Sequence, residues 1–134
     1  MSTSSVGIPT MTDNNGKKEW RLNGELHRED GPAIEMHGYK AWHFKGMVHR
    51  VDGPAIERSD GYTHWYLNGK VHREDGPAVV SADGYEAWYL DGQLHREDGP
   101  AIIFPNGNKF WYLRNMYLSE EDYSLQTTLV KSAI

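Results

Sequence analysis

Histidine and aspartate recur three residues apart at four places in this chain: His27/Asp30, His49/Asp52, His72/Asp75 and His95/Asp98. Imidazole and carboxylate both ligate zinc and other transition ions, so the first chemistry this spacing offers is a row of metal sites. The second is acid–base hydrolysis. That needs an acid and a base in unlike environments, and a unit repeated in register offers like environments instead. Each pair lies within His-Arg-x-Asp-Gly-Pro-Ala, which adds Arg28, Arg50, Arg73 and Arg96. The reading favoured here is structural. The His bonds backbone at a turn, and each Arg pairs with the Asp of the same or the next repeat, giving a charge-assisted ladder. A buried polar turn on every rung must be satisfied internally or cost roughly 1–3 kcal/mol each time. Val51 stands where the other copies have Glu29, Glu74 and Glu97, so the motif dispenses with Glu but keeps His, Arg, Asp and Gly. The sequence has no Gly-rich phosphate loop, nucleophile elbow or zincin motif, and no Cys for a thiolate site or nucleophile. The expectation is no catalytic residue, no metal and no cofactor.

Elements that would carry these motifs are legible in a second periodicity. Trp20, Trp42, Trp65, Trp88 and Trp111 are separated by steps of 22, 23, 23 and 23, and each of the first four precedes its His by seven residues. Four full units and a partial fifth follow one another, and side chains that recur in a repeat array are first candidates for holding one unit on the next. Within a unit, Tyr62 to Leu67 is rich in strand-forming residues and stops at Asn68-Gly69, which suits a type I′ turn. A return strand Lys70-Val71-His72 runs into the Gly-Pro break, and a short strand Ala78-Val79-Val80 leads to Asp83-Gly84. The fold class expected is all-β: antiparallel β-hairpin repeats in an elongated solenoid or meander sheet, closed by a C-terminal capping helix.

Alternation along the strands assigns two faces. Each Trp and the residue two on (Leu22, Phe44, Leu67, Leu90, Leu113) are expected to form the core stripe with Ile34, Ile56, Val79 and Ile102. The opposite face carries the candidate binding residues Tyr39, His43, Tyr62, His64, Tyr66, Tyr85, Tyr89 and Tyr112, with Ala41, Ala87 and Phe110 between them. His43 and His64 are the departures from the repeat on that face, and singular positions are where a site would be built.

Residues 1–18 are polar and read as a flexible lead-in, with Val6 to Met11 docking on the first repeat. The repeat domain spans 19–118. Residues 119–134 read as a helix capped by Ser119, with acids in its first turn and Leu125, Leu129 and Val130 on the face that covers the last repeat. With 14 Lys and Arg against 19 Asp and Glu, the interspersed charges sum to −5, which argues against duplex nucleic acid as a partner. No apolar run reaches the length of a membrane span, and the start of the chain lacks the pattern of an export signal, so a cytoplasmic location is expected.

The 23-residue period, the Trp strand, the string Asn68-Gly69-Lys70-x-His72 and the later Asp-Gly turn resemble MORN-type β-hairpin repeats, including the variant form of bacterial antitoxin-like proteins. The resemblance covers Trp20 to about Leu113. After the His it departs: that family continues with a short Gly-x-Gly, and this chain has Arg-Glu-Asp-Gly-Pro-Ala. In this form the repeats are similar to those of many uncharacterised bacteriophage proteins. The resemblance implies protein interaction or lipid contact in place of catalysis, and a phage-encoded accessory protein acting in the cytoplasm of an infected cell on a host protein, one of defence included. Tyr-rich faces with scattered Arg have the composition of interface hot spots, so a protein partner is expected, with homo-oligomerisation as another way to cover the face. The alternative is a small ligand, such as a nucleotide signal sequestered by stacking on Tyr62, Tyr66, Tyr85 or Tyr89, with Arg73 or Arg96 on its phosphate.

Overall fold

The computed structural model describes residues 9–132. The short, Gly-punctuated strands expected from the repeat pair in chain order into one open antiparallel sheet of 11 strands. It runs from Met11–Thr12 and Lys18–Glu19 at one end to Lys109–Leu113 and Met116–Leu118 at the other. Between these ends each repeat contributes two strands: Ile34–Met36 with Tyr39–Ala41, Ile56–Arg58 with Thr63–His64, Val79–Val80 with Glu86–Ala87, and Ile102–Ile103 with Lys109–Leu113. The all-β meander with its C-terminal helix is the architecture observed. Among the described residues no helix is long and apolar enough to cross a membrane.

The strand expected to run unbroken through each Trp is interrupted there. Trp20, Trp42, Trp65 and Trp88 lie between a sheet strand and a separate two-stranded arm, for example Thr63–His64 before Trp65 and the hairpin Tyr66–Leu67/Lys70–Val71 after it. At this corner the Trp N–H donates to the Ala of Gly-Pro-Ala (Trp65 to Ala78, 2.7 Å), and the Trp carbonyl accepts from the motif His (His72 N–H, 3.0 Å). The backbone thus changes partner from sheet to arm across one residue. Only the last strand, Lys109–Leu113, passes straight through its Trp.

Arm turns have the geometry their sequence predicts. Asn68 and Gly69 have φ of 52° and 82°, as a type I′ turn requires.

The facial assignment of the aliphatic residues needs correction. Ile34, Ile56, Val79 and Ile102 pair directly with Ala41, His64, Ala87 and Phe110, each the residue before a Trp. Directly opposed residues share a face, so these aliphatics belong with the Tyr/His row and not with the Trp stripe. The cause is one extra residue per repeat. Ala33 donates its N–H to the carbonyl of Ala41 although Ile34 is Ala41's partner, and Ala55, Ala78 and Ala101 repeat the arrangement, as at a β-bulge. Among the described residues the alanines Ala33, Ala41, Ala55, Ala78, Ala87 and Ala101 have no exposure, and Trp20, Val79 and Tyr123 are the larger buried apolar side chains.

Of the N-terminal segment, Val6 to Ile8 lie outside the described residues. Met11–Thr12 adds an edge strand to Lys18–Glu19, and Thr10 donates its N–H to the Glu19 carbonyl at 2.7 Å. At the other end Ser119 caps the helix Glu120–Ser132, accepting the Asp122 N–H on Oγ at 3.1 Å. The face by which this helix docks is not the leucine face. Leu125 and Leu129 are exposed, the side chain of Val130 lies outside the described residues, and Tyr123 is the buried residue. A tyrosine wins because the surface it covers presents backbone polar groups: its hydroxyl donates to the Arg96 carbonyl and accepts the Gly99 N–H.

Candidate functional site

Two surfaces collect the residues singled out above, the recurring loop and the aromatic sheet face. In the loop, each Arg is held on three sides. The Arg28, Arg50, Arg73 and Arg96 guanidiniums lie 3.9, 3.9, 4.0 and 3.8 Å from the ring centres of Trp20, Trp42, Trp65 and Trp88. Their Nε atoms donate to Asp30, Asp52, Asp75 and Asp98 of the same repeat at 2.9 to 3.2 Å. A terminal nitrogen donates to the carbonyl of the motif Pro, at 3.1 Å for Arg28 to Pro32 and 3.2 Å for Arg73 to Pro77. The motif Gly closes the sandwich from the other side. A Cβ built on Gly76 would sit 2.9 Å from the Arg73 guanidinium carbon, and Gly31, Gly53 and Gly99 stand in the same relation to their arginines. Gly is needed here for closeness rather than for backbone conformation.

Gly76→Ala is accordingly expected to destabilise the protein by about 1–3 kcal/mol through overpacking, read as a lowered urea midpoint. Combined with Arg73→Ala the added cost should nearly vanish. Full additivity of the two changes would contradict the sandwich.

The motif His links neighbouring repeats. His27, His49, His72 and His95 accept on Nδ1 the backbone N–H of Lys45, Asn68, Asp91 and Arg114, at 2.9, 2.8, 2.9 and 3.0 Å. Each donor is the first central residue of the next arm's turn and has a positive φ. An accepting Nδ1 leaves the proton on Nε2, which faces Glu29, Glu74 and Glu97 at 3.3, 3.3 and 3.1 Å for three of the four. Val51 offers His49 no such acceptor. Among the described residues no three His, Asp or Glu side chains are placed to hold a metal ion.

On the aromatic face, Tyr62 and His64 have ring centres 4.7 Å apart, and His64, on the sheet, stacks across the Trp65 corner on Tyr66, on the arm, at 6.2 Å with planes 18° apart. Burial raises Tyr89 above the ordinary phenol range, and nearby Tyr112, Tyr66 and Tyr62 push the same way. Tyr85 is raised by burial and by Tyr89, Tyr62 and Tyr112. Tyr39 stands opposite Met36 and Arg58 on the same sheet, and His43 is buried on its arm opposite Val48. All eight candidates are buried or half-buried.

Sequence reasoning missed Phe104 and Tyr117, which continue the row: Tyr85–Phe104 at 5.3 Å, Phe104–Phe110 at 5.7 Å and Tyr112–Tyr117 at 5.7 Å. The Ile102-Ile103-Phe104 string was the available signal, since residues two apart on a strand share a face. Arg58 is also on this side, 4.9 Å over Tyr62 and 2.6 Å from Asp60. Arg73 and Arg96, which the nucleotide alternative needs on a phosphate, are instead held on Trp65 and Trp88 by Asp75 and Asp98.

His43 and His64 both sit below the ordinary imidazole value of 6.5. Burial is the main cause for each; the nearby Ala41 backbone partly offsets it at His43, where Arg21 adds to the lowering, and Arg58 adds to it at His64. The unfolded chain then binds protons near pH 6.5 that the folded chain refuses, so stability falls as pH drops below 6.5 and levels off below the folded values. Urea midpoints are expected to be lower at pH 5 than at pH 7.5, and His43→Phe with His64→Phe should reduce that difference. Glu19 acts in a separate, lower window. Hydrogen bonds from Lys17 and then Arg21 hold its carboxyl below the ordinary 4.5, so its contribution is present above that value and is lost as pH falls through the lowered one.

No family model, curated protein or solved structure matches the chain. The functional reading therefore rests on the two surfaces just described.

Proposed function

We propose that this protein is a non-catalytic interaction module that binds a partner protein through the Tyr/His face of its sheet. The observation that carries the reading is the aromatic and aliphatic face to which every repeat contributes, with Tyr62, His64 and Tyr66 in ring contact at its centre and each of them half-buried rather than enclosed. Tyr-rich patches of this composition are typical binding hot spots. The motif His, Arg and Asp residues support a non-catalytic role, because their bonds run to neighbouring backbone and to one another. The repeats' resemblance to MORN-type and bacteriophage sequences extends the proposal: a phage-encoded accessory protein that acts in the cytoplasm of the infected cell and inhibits a host protein, one of defence included.

Native mass spectrometry of the tagged protein recovered from its natural cell tests this. The expected result is a stoichiometric protein partner on the wild-type chain and its loss with Tyr66→Ala/Tyr89→Ala, since hot-spot truncations cost about 2 kcal/mol or more. A bare chain, or a bound nucleotide in place of a protein, would overturn it.

A further inference from the structure

The loops build a second surface that the aromatic face does not explain. Between successive Arg-x-Asp-Gly-Pro loops lie grooves of about 750, 520 and 700 Å³, one for each neighbouring pair. Their apolar floors repeat as Trp42 with Phe44, Trp65 with Leu67, and Trp88 with Leu90. Their walls are acidic. The groove between the last two loops holds Glu74, Asp75, Glu97 and Asp98 against two guanidiniums, and those guanidiniums already lie on Trp rings and on Asp. The side chains of Asp75 and Asp98 are more than four-fifths exposed, whereas Arg73 and Arg96 are a quarter exposed or less. What faces solvent is therefore negative charge above an aromatic floor. This combination fits a Lys or Arg side chain, whose stem lies on apolar surface and whose head seeks carboxylate and ring face.

Spacing narrows the partner further. Each repeat adds two strands to the sheet, so the grooves recur about every 9.6 Å at about 4.8 Å per strand. An extended β-strand brings same-face side chains back at roughly 6.7 Å and then 13 Å, which misses this interval. A polyproline II helix has three residues per turn and rises about 3.1 Å per residue, so every third side chain returns to one side after about 9.3 Å. We propose that the three grooves form a track for a basic polyproline II segment of a partner protein carrying Lys or Arg at every third residue. The track does not depend on the aromatic-face reading and uses different residues.

Titration of the full-length protein with a labelled peptide of four Lys-Pro-Pro units, followed by fluorescence anisotropy, provides the test. A peptide of the same composition with its lysines contiguous has the same charge but the wrong spacing. The spaced peptide should bind about tenfold more tightly and weaken as salt is raised. Glu74→Gln/Glu97→Gln should weaken it about tenfold without changing the circular dichroism spectrum, since Val51 already occupies the equivalent position in one repeat. Tyr66→Ala should leave it unchanged. Equal binding of the two peptides would reduce the effect to general charge attraction and overturn the proposal. So would absence of binding, indifference to the Gln substitutions, or loss of binding in Tyr66→Ala, which would place the segment on the aromatic face.

Discussion

Tyr123→Ala is expected to detach the C-terminal helix and destabilise the protein by about 3–5 kcal/mol, the range for removing a large buried aromatic. The Tyr123 ring packs near Trp111, with centroids 6.5 Å apart, and its hydroxyl bridges the Arg96 carbonyl and the Gly99 N–H, at 3.1 Å for the latter. Loss of this one side chain removes the contact between helix and last loop together with the partners of two backbone groups. A helix of 13 residues is marginal on its own, so its far-ultraviolet circular dichroism signal should fall and the segment should become sensitive to protease. Tyr123→Phe keeps the ring and leaves the two backbone groups unsatisfied, for a smaller cost of about 1–3 kcal/mol. Leu125→Ala, at an exposed position, should stay within about 0.5 kcal/mol. Equal effects at Tyr123 and Leu125 would show that the leucine face docks after all.

Trp65→Ala should cost about 3 kcal/mol, the low end for a large aromatic because the ring is half-buried, and spread further. The Trp65 ring stacks on Arg73 and floors the groove beside the preceding loop, while its backbone bonds at the sheet-to-arm corner are ones alanine keeps. Without it Arg73 loses its platform, and the Asp75 and Pro77 contacts that depend on the same guanidinium loosen with it. In a repeat array the interface between neighbours holds much of the stability, so damage to a central unit lowers the cooperativity of the whole. Hydrogen exchange should accelerate at Arg50, Gly69 and Gly92, whose N–H groups donate to the carbonyls of Tyr66, Val48 and Val71 and join one arm to the next. A double-mutant cycle of Trp65→Ala with Arg73→Ala should give a coupling of roughly 0.5–3 kcal/mol. Additivity would mean that the stacking contributes nothing.

These effects locate what was readable in the chain. The repeat period, the arm turns and the sheet class followed from Trp spacing, the Asn-Gly pair and strand-forming runs, because turn chemistry and strand preference act over a few neighbouring residues. The Tyr/His row was readable up to Tyr112 for the same reason, since side chains two apart on a strand share a face. The assignment of Ile34, Ile56, Val79 and Ile102 failed because it carried alternation through Gly-Pro-Ala, where one extra residue shifts the pairing. The docking face of the helix failed because hydrophobic spacing on a helix is silent about the surface it meets, here a loop whose backbone offers Tyr123 both a donor and an acceptor.

The sequence alone determined that one unit is written four times and begun a fifth, that it folds as β-hairpins, and that the recurring His, Arg and Asp serve every unit alike. Those are local or periodic properties, set by each residue's neighbours along the chain. Tertiary structure decided which partners those residues take. Nδ1 of each motif His meets the turn of the following arm 18 or 19 residues away, and each Arg lies between a Trp eight residues before it and a Gly three residues after it. Only the packing of one loop on the next brings an aromatic floor and exposed carboxylates into one groove, because that depends on the distance between repeats rather than on the order of residues within one.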